Sequence, residues 1–183
     1  MQQPKRQIFL KKFHLYIDKI QEISQGEDGK MELSKEKIQL LALFNKLKEK
    51  YKSSGDKNIS FELNIDEDIF IMSDILHFSN IIDNLTENSI KYSDENLTIN
   101  ISVYKKNGNV YIHHRDNGWG ISPAEINSIF DIFYRGISVE KRRKNGFGLG
   151  LSYVKTMIEL MGGKIKVESK EKEFTEFTLI YPV

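Results

Sequence analysis

The chain has no cysteine, so neither a disulfide nor a thiolate zinc site can form. Its net charge of +1 lacks the cationic excess of a dedicated nucleic-acid binder. It holds no run of 18 apolar residues and no secretory leader. The expectation is a soluble chain, or a soluble piece of a longer membrane-attached protein. Hydrophobic residues make up 39%, a little below the globular average, and charged residues 29%, a little above it. The 183 residues suit one domain, or one domain plus an appendage, with solvated helices outside its core.

Three glycines stand on alternate positions in "KNGFGLGLS", Lys144 to Ser152, ahead of an apolar, helix-like run. Such a loop often cradles phosphate, because free N–H groups and the helix dipole attract anions. A dinucleotide fingerprint would need glycine at position 151, where Leu151 stands, and a strand before the loop, where "EKRRK" stands. A P-loop would need Gly-Lys-Ser/Thr at its end, and no such triplet occurs. The loop belongs to neither class.

Along the chain, Phe9, Phe13, Tyr16, Ile20 and Ile23 are spaced four, three, four, three. That is the seam of a helical hairpin or coiled coil, on a helix from Lys5 to Ser24. Gln25–Met31 reads as a polar linker and sets a boundary between residues 1–30 and 31–183. A second helix is expected over Lys35 to Tyr51, with Leu40, Phe44, Leu47 and Tyr51 on one stripe. "ISFELNI" and "IFIM" read as strands. Ser73 or Asp74 can cap a helix reaching Tyr92. "LTINISVYKK" and "NVYIHHR", joined at "NGN", form a hairpin. "SPAEINSIF" has the cap, first-turn proline and third-residue glutamate of a helix start. A last helix, Leu149 to Met161, stops at Gly162-Gly163, and two strands close the chain. This order predicts an α+β, two-layer sandwich: a mixed, mostly antiparallel sheet with helices on one face.

Three constellations could carry chemistry. Asn84, Asn88 and Lys91 fall within about 60° on one helix, beside the face that must enter the core. They are either a tolerated polar strip or a metal–phosphate site. Mg²⁺ takes few protein oxygens, and a neutral amide adds no negative charge near a polyphosphate. Lys91 would supply a point cation. Asp116, in "DNGWGI", is either turn chemistry or an acceptor-only base reader. As a reader it would accept from the adenine amine and repel the carbonyl of guanine. The cations of Lys141 to Lys144 are either a solvated run or part of a loop that closes on a triphosphate.

In order and content these stretches resemble the GHKL ATP-binding fold, and most closely the catalytic domain of sensor histidine kinases. "NLTENSIKYS" is similar to the family's N box, "DNGWGIS" to its first glycine box and "IFDIFYRG" to its F box. "KNGFGLGLSYVK" is similar to its second glycine box and "FTEFTLIYP" to its closing strand. The resemblance runs from about Lys35 to the C-terminus. It implies that Asn88, with Asn84 beside it, binds Mg²⁺. Lys91 would touch phosphate, and Tyr92 would pack on the adenine. Asp116 would hold the adenine amine, with Thr175 completing that set through water. Gly118, Gly120 and Ile121 would line the base pocket. Arg135 and the loop Gly146, Phe147, Gly148, Leu149 and Gly150 would face the phosphates. Trp119 and Phe147 depart from the family's usual smaller residues.

ATPases of this fold place a water-activating glutamate where Asn84 stands, and the anti-sigma serine kinases resemble them there. Asn84 is a poor base, and Asp83 lies about 100° off the strip. The resemblance therefore implies slow hydrolysis and transfer of the γ-phosphate to an external histidine, with Asn84, Lys91 and Arg135 taking part. His14, His77, His113 and His114 all lack the acidic neighbour that usually follows the accepting histidine. Residues 1–30 then read as the end of a dimerisation hairpin whose accepting helix lies outside this sequence. The implied parent is a homodimeric inner-membrane sensor with this part in the cytoplasm, acting on a response regulator and not on nucleic acid. The alternatives are an anti-sigma-type serine kinase and a non-catalytic adenine-nucleotide switch.

Overall fold

The computed structural model describes residues 17–18, 20–26, 28, 31–52, 57–136 and 147–182. Helix α1 covers residues 20–26. Strand β1 is Lys35–Gln39, helix α2 Leu40–Lys52, strand β2 Asn58–Ile65 and strand β3 Phe70–Asp74. Helix α3 is Ile75–Lys91, strand β4 Asn96–Lys106 and strand β5 Asn109–Asp116. Helix α4 is Gly150–Leu160, followed by β6 (Lys164–Lys170) and β7 (Phe174–Pro182).

Five strands form one sheet in the order β2-β4-β5-β7-β6. β2 runs parallel to β4, and every other neighbouring pair is antiparallel. Each strand alternates. Leu97, Ile99, Ile101 and Val103 of β4 point inward, as do Val110, Ile112 and His114 of β5. They meet Phe78, Ile81, Ile82 and Leu85 of α3 and Tyr153, Val154, Met157 and Ile158 of α4 in one core. Truncating a fully buried aromatic such as Phe78 to alanine costs about 3–5 kcal/mol. The other face is a polar ladder. There Tyr104 stacks on Tyr111 at 5.2 Å, and His113 Nδ1 meets Glu176 Oε1 at 2.8 Å. The two-layer α+β reading holds, and His113 and His114 alternate across the sheet as expected.

Two segments differ from the sequence reading. Lys35–Gln39 is not the first turn of a helix but a strand paired antiparallel with β3, Lys35 opposite Asp74. Asp74 holds this corner. Its Oδ2 accepts from Ser34 N at 2.9 Å, and its Oδ1 caps α3 by accepting from Leu76 and His77 N–H at 3.0 and 3.1 Å. The capping box at Ser122 does not start an α-helix. Ser122 Oγ donates to Glu125 Oε2 at 2.8 Å, so the two side chains satisfy each other. Only three-residue turns follow, with Glu125 N on Ser122 O, Ser128 N on Glu125 O and Asp131 N on Ser128 O.

The hairpin turn is as expected: Asn107 and Gly108 both have positive φ, 50° and 72°, as a type I′ turn requires. On α1, Ile23 is buried in the same core. A Cβ on Gly26 would lie 2.7 Å from Thr156 Cγ2, so α1 is seated directly on α4. His14 and Lys141 to Lys144 lie outside the described residues.

Candidate functional site

Helix α3 brings its polar strip to the N-terminus of α4. Asn84 is buried, donates Nδ2–H to the Asn80 carbonyl at 2.6 Å, and leaves Oδ1 facing Gly150. A Cβ on Gly150 would stand 3.1 Å from that oxygen and 3.9 Å from Asn88 Nδ2. A side chain there would crowd the Asn84 carboxamide and touch that of Asn88. Asn88 is half-buried and lines the pocket described below. Lys91 sits 4.7 Å over the ring of Tyr92, a cation–π contact with a residue that lines the pocket. Tyr92 caps the helix, its N–H on the Asn88 carbonyl at 2.8 Å.

Asp116 ends β5 and is only 6% exposed. Ser89 Oγ donates to its Oδ2 at 2.5 Å, and Gly118 N–H donates to its Oδ1 at 2.9 Å. Burial pushes the carboxyl above its ordinary range. The bonds from Ser89, Gly118 and the Thr175 backbone, and the charge of Arg115, oppose that rise. A buried acid so supplied with donors is built to accept. Gly120 has φ 64°, and a Cβ on it would run into the Lys170 carbonyl. Gly118 packs on the Tyr92 carbonyl, 2.7 Å from its own would-be Cβ. Trp119 is part of the pocket wall, where its backbone N–H bonds Tyr92 O and its indole N–H bonds Asp94 at 2.8 Å. Ile121 N–H donates to Ser169 Oγ at 2.8 Å, and that hydroxyl reaches Thr175 Oγ1 at 3.2 Å.

One pocket therefore gathers Asn88, Tyr92, Asp116, Gly120, Ile121, Arg135 and Thr175. Asn84 and Gly150 lie just beyond it, joined as above. Gly148, φ 72°, folds against the backbone of Phe133 and Tyr134, and Leu149 is buried behind it. Lys91, Gly118, Phe147, Gly148 and Leu149 do not line the pocket, and Phe147 is exposed to solvent. Gly146 lies outside the described residues. The sequence reading missed Ser89, Glu125 and Tyr134, which also line it. A serine on the core-facing side of α3 was the signal for the first. Among the described residues no group of three His, Asp or Glu side chains could enclose a metal. Two neutral carboxamides at the mouth of a helix N-terminus fit a hard cation that keeps water and phosphate oxygens.

The strand order and this pocket define a nucleotide-binding α+β sandwich. Residues 73–183 match the family of histidine kinase-, DNA gyrase B- and HSP90-like ATPases, and the chain belongs to it. Among curated proteins it is 27% identical over 169 residues to the sensor histidine kinase WalK of Bacillus subtilis, covering 91% of this chain and 28% of that one. It is 36% identical over 115 residues to the sensor protein RprX of Bacteroides fragilis, covering 62% and 22%. The chain thus spans about a quarter of the length of these relatives. Among solved structures, the histidine kinase AdeS of Acinetobacter baumannii superposes with TM-score 0.78 at 20% identity, over 94% of this chain and 79% of that one. The catalytic domain of histidine kinase ThkA gives 0.67 at 25% identity, over 82% and 96%. No helix among the described residues is long and apolar enough to cross a membrane.

Proposed function

We propose that this chain is the ATP-binding catalytic part of a two-component sensor histidine kinase. The observation that carries the reading is the convergence of Asp116, Ser89 and Thr175 at one end of the pocket with Asn88 and Arg135 in its wall. The first group suits a purine edge. Asn84 and Asn88, below Gly150, suit the oxygens around Mg²⁺, which when bound would neutralise phosphate charge.

What the chain's residues do is chiefly positioning. Tyr92 offers a face to the base, and such a contact is worth about 1–3 kcal/mol. Asp116 fixes the base edge. Arg135 and the N-terminus of α4 face the phosphates, and Lys91 meets them from the rim. Asn84 lacks a carboxylate, and its amide is spent on Asn80, so it activates no water. The γ-phosphate is left for an external nucleophile. Phosphoryl transfer needs alignment and charge stabilisation more than covalent help.

In this reading residues 1–30 are the end of the second dimerisation helix, and the acceptor is a histidine on the hairpin it belongs to. The parent is a homodimer with this part in the cytoplasm, where ATP is, and it passes phosphate to a response regulator. The test mixes the chain with Mg·ATP and a separate helical-hairpin fragment. Acid-labile, base-stable phosphate on the hairpin supports the reading; acid-stable phosphoserine, or no transfer, contradicts it.

A further inference from the structure

Ser89 follows Asn88 on α3 and is buried. Its Oγ lies 2.5 Å from Asp116 Oδ2 and 3.2 Å from the Leu85 carbonyl. A hydroxyl has one proton and two acceptor sites. It can therefore serve both states of its neighbour. With Asp116 ionised, the hydroxyl proton lies on Oδ2. With Asp116 protonated, the acid proton lies on Ser89 Oγ, and the hydroxyl proton turns to Leu85. The first arrangement is charge-assisted and roughly twice as strong, so the serine favours the ionised form. A carboxylate has about four acceptor positions. Ser89, Gly118 and the Thr175 backbone occupy three donors' worth, leaving room for one donor from a ligand.

We propose that Ser89 is a specificity-determining residue of the pocket: by donating to Asp116 it keeps one open acceptor position that takes a 6-amino purine and rejects a 6-oxo purine. This rests on the nucleotide reading above. Protonated Asp116 loses the charge that repels a carbonyl, and without the Ser89 hydroxyl its proton is free to be donated to one. Acidification should therefore weaken Mg·ADP and narrow its advantage over Mg·IDP, whose base carries a 6-oxo group. Burial raises the Asp116 carboxyl, and Ser89 is the foremost contact holding it down. Loss of the hydroxyl moves that change to higher pH.

Other ionisable groups face this region. From β5, Arg115 turns to Glu176 on the open face, and His114 is pushed down to about 4 by burial and so is neutral above that pH. From the C-cap of α3 comes Tyr92, and from the 122–136 segment come Glu125, Tyr134 and Arg135. β7 contributes neutral Thr175 and α4 apolar Leu151. Glu125 is the other carboxyl lining this pocket, so the comparison is repeated with Glu125→Gln in every protein.

The experiment is calorimetric titration of the whole chain with Mg·ADP and with Mg·IDP from about pH 5 to about pH 8. The variants are Ser89→Ala and Ser89→Cys; the latter fills the same space with a weak donor. Wild type should prefer Mg·ADP by about tenfold or more at neutral pH. Ser89→Ala should lose about threefold or more of that preference, and its acid weakening should begin at higher pH, with or without Glu125→Gln. Should Ser89→Ala fail to fold, Ser89→Cys shows the same shift. Coincident preferences and pH profiles in wild type and the folded Ser89 variants overturn the proposal. No Mg·ADP binding by wild type at any pH overturns the nucleotide reading, and this proposal with it; that result is a flat trace, distinct from coincident profiles.

Discussion

Asp83 is held by Tyr51, whose hydroxyl donates to Asp83 Oδ1 at 3.0 Å, while Lys50 Nζ meets Oδ2 at 2.7 Å. The carboxylate nearest in sequence to Asn84 is thus committed to α2 and does not stand in for a water-activating base. Asp83→Asn should leave ATP hydrolysis as slow as in wild type. Its effect should be on stability, about 1 kcal/mol, because the bond to a charged acceptor is lost. A phosphate-release assay and a thermal melt separate the two. A large loss of residual hydrolysis would give Asp83 a role in the chemistry that its geometry does not support.

Asp74 ties Ser34 to the start of α3. Burial raises its carboxyl, but backbone donors from His77, Ser34 and Leu76 and the charge of His77 outweigh that, and the net shift is downward. A lowered folded-state pKa contributes stability that is present above the unfolded pKa and lost as pH falls through the folded one. Asp74→Ala should therefore cost about 1–2 kcal/mol at neutral pH. The gap from wild type should shrink in acid. Urea melts at several pH values test it; a gap that widens in acid would contradict it.

Gly120→Ala should be among the most damaging single changes. Positive φ and the Lys170 carbonyl leave no room for a methyl group, and strain of this kind costs about 1–3 kcal/mol or more. Both the melting temperature and nucleotide affinity should fall. An unchanged melt would mean the first glycine box is not held as described.

Asn88→Ala should remove most of the Mg²⁺ dependence of ATP binding while sparing much of the affinity for adenosine, which carries no phosphate. Titrations with and without the metal measure this. Identical metal dependence in wild type and variant would take Asn88 out of the metal site.

Much of this was legible in the sequence where local pattern and tertiary demand agree. α3 has its cap, its apolar stripe and its polar strip in register, and Asn107-Gly108 dictates its own turn. Lys35–Gln39 was not legible: "KEKIQ" is rich in helix formers, and only pairing with β3, more than thirty residues away, makes it a strand. Ser122 and Glu125 have the composition of a capping box, but their direct bond to each other removes the cap from the backbone. Ser89 reads as a tolerated small polar residue until β5 brings Asp116, 27 positions on, against it. His114 likewise reads as one more alternating position, although its Nε2 pairs with Thr86 Oγ1 at 3.2 Å inside the core.

The central claim is that Asp116 holds a purine while Asn84 and Asn88 attend the phosphate-bound metal. Calorimetry of the chain with millimolar Mg·ADP, set beside Asp116→Asn, tests it most directly. The account predicts measurable heat, a raised melting temperature in wild type, and affinity at least about tenfold weaker in the variant. No heat and no thermal shift in wild type, or equal affinity in the two proteins, would contradict it.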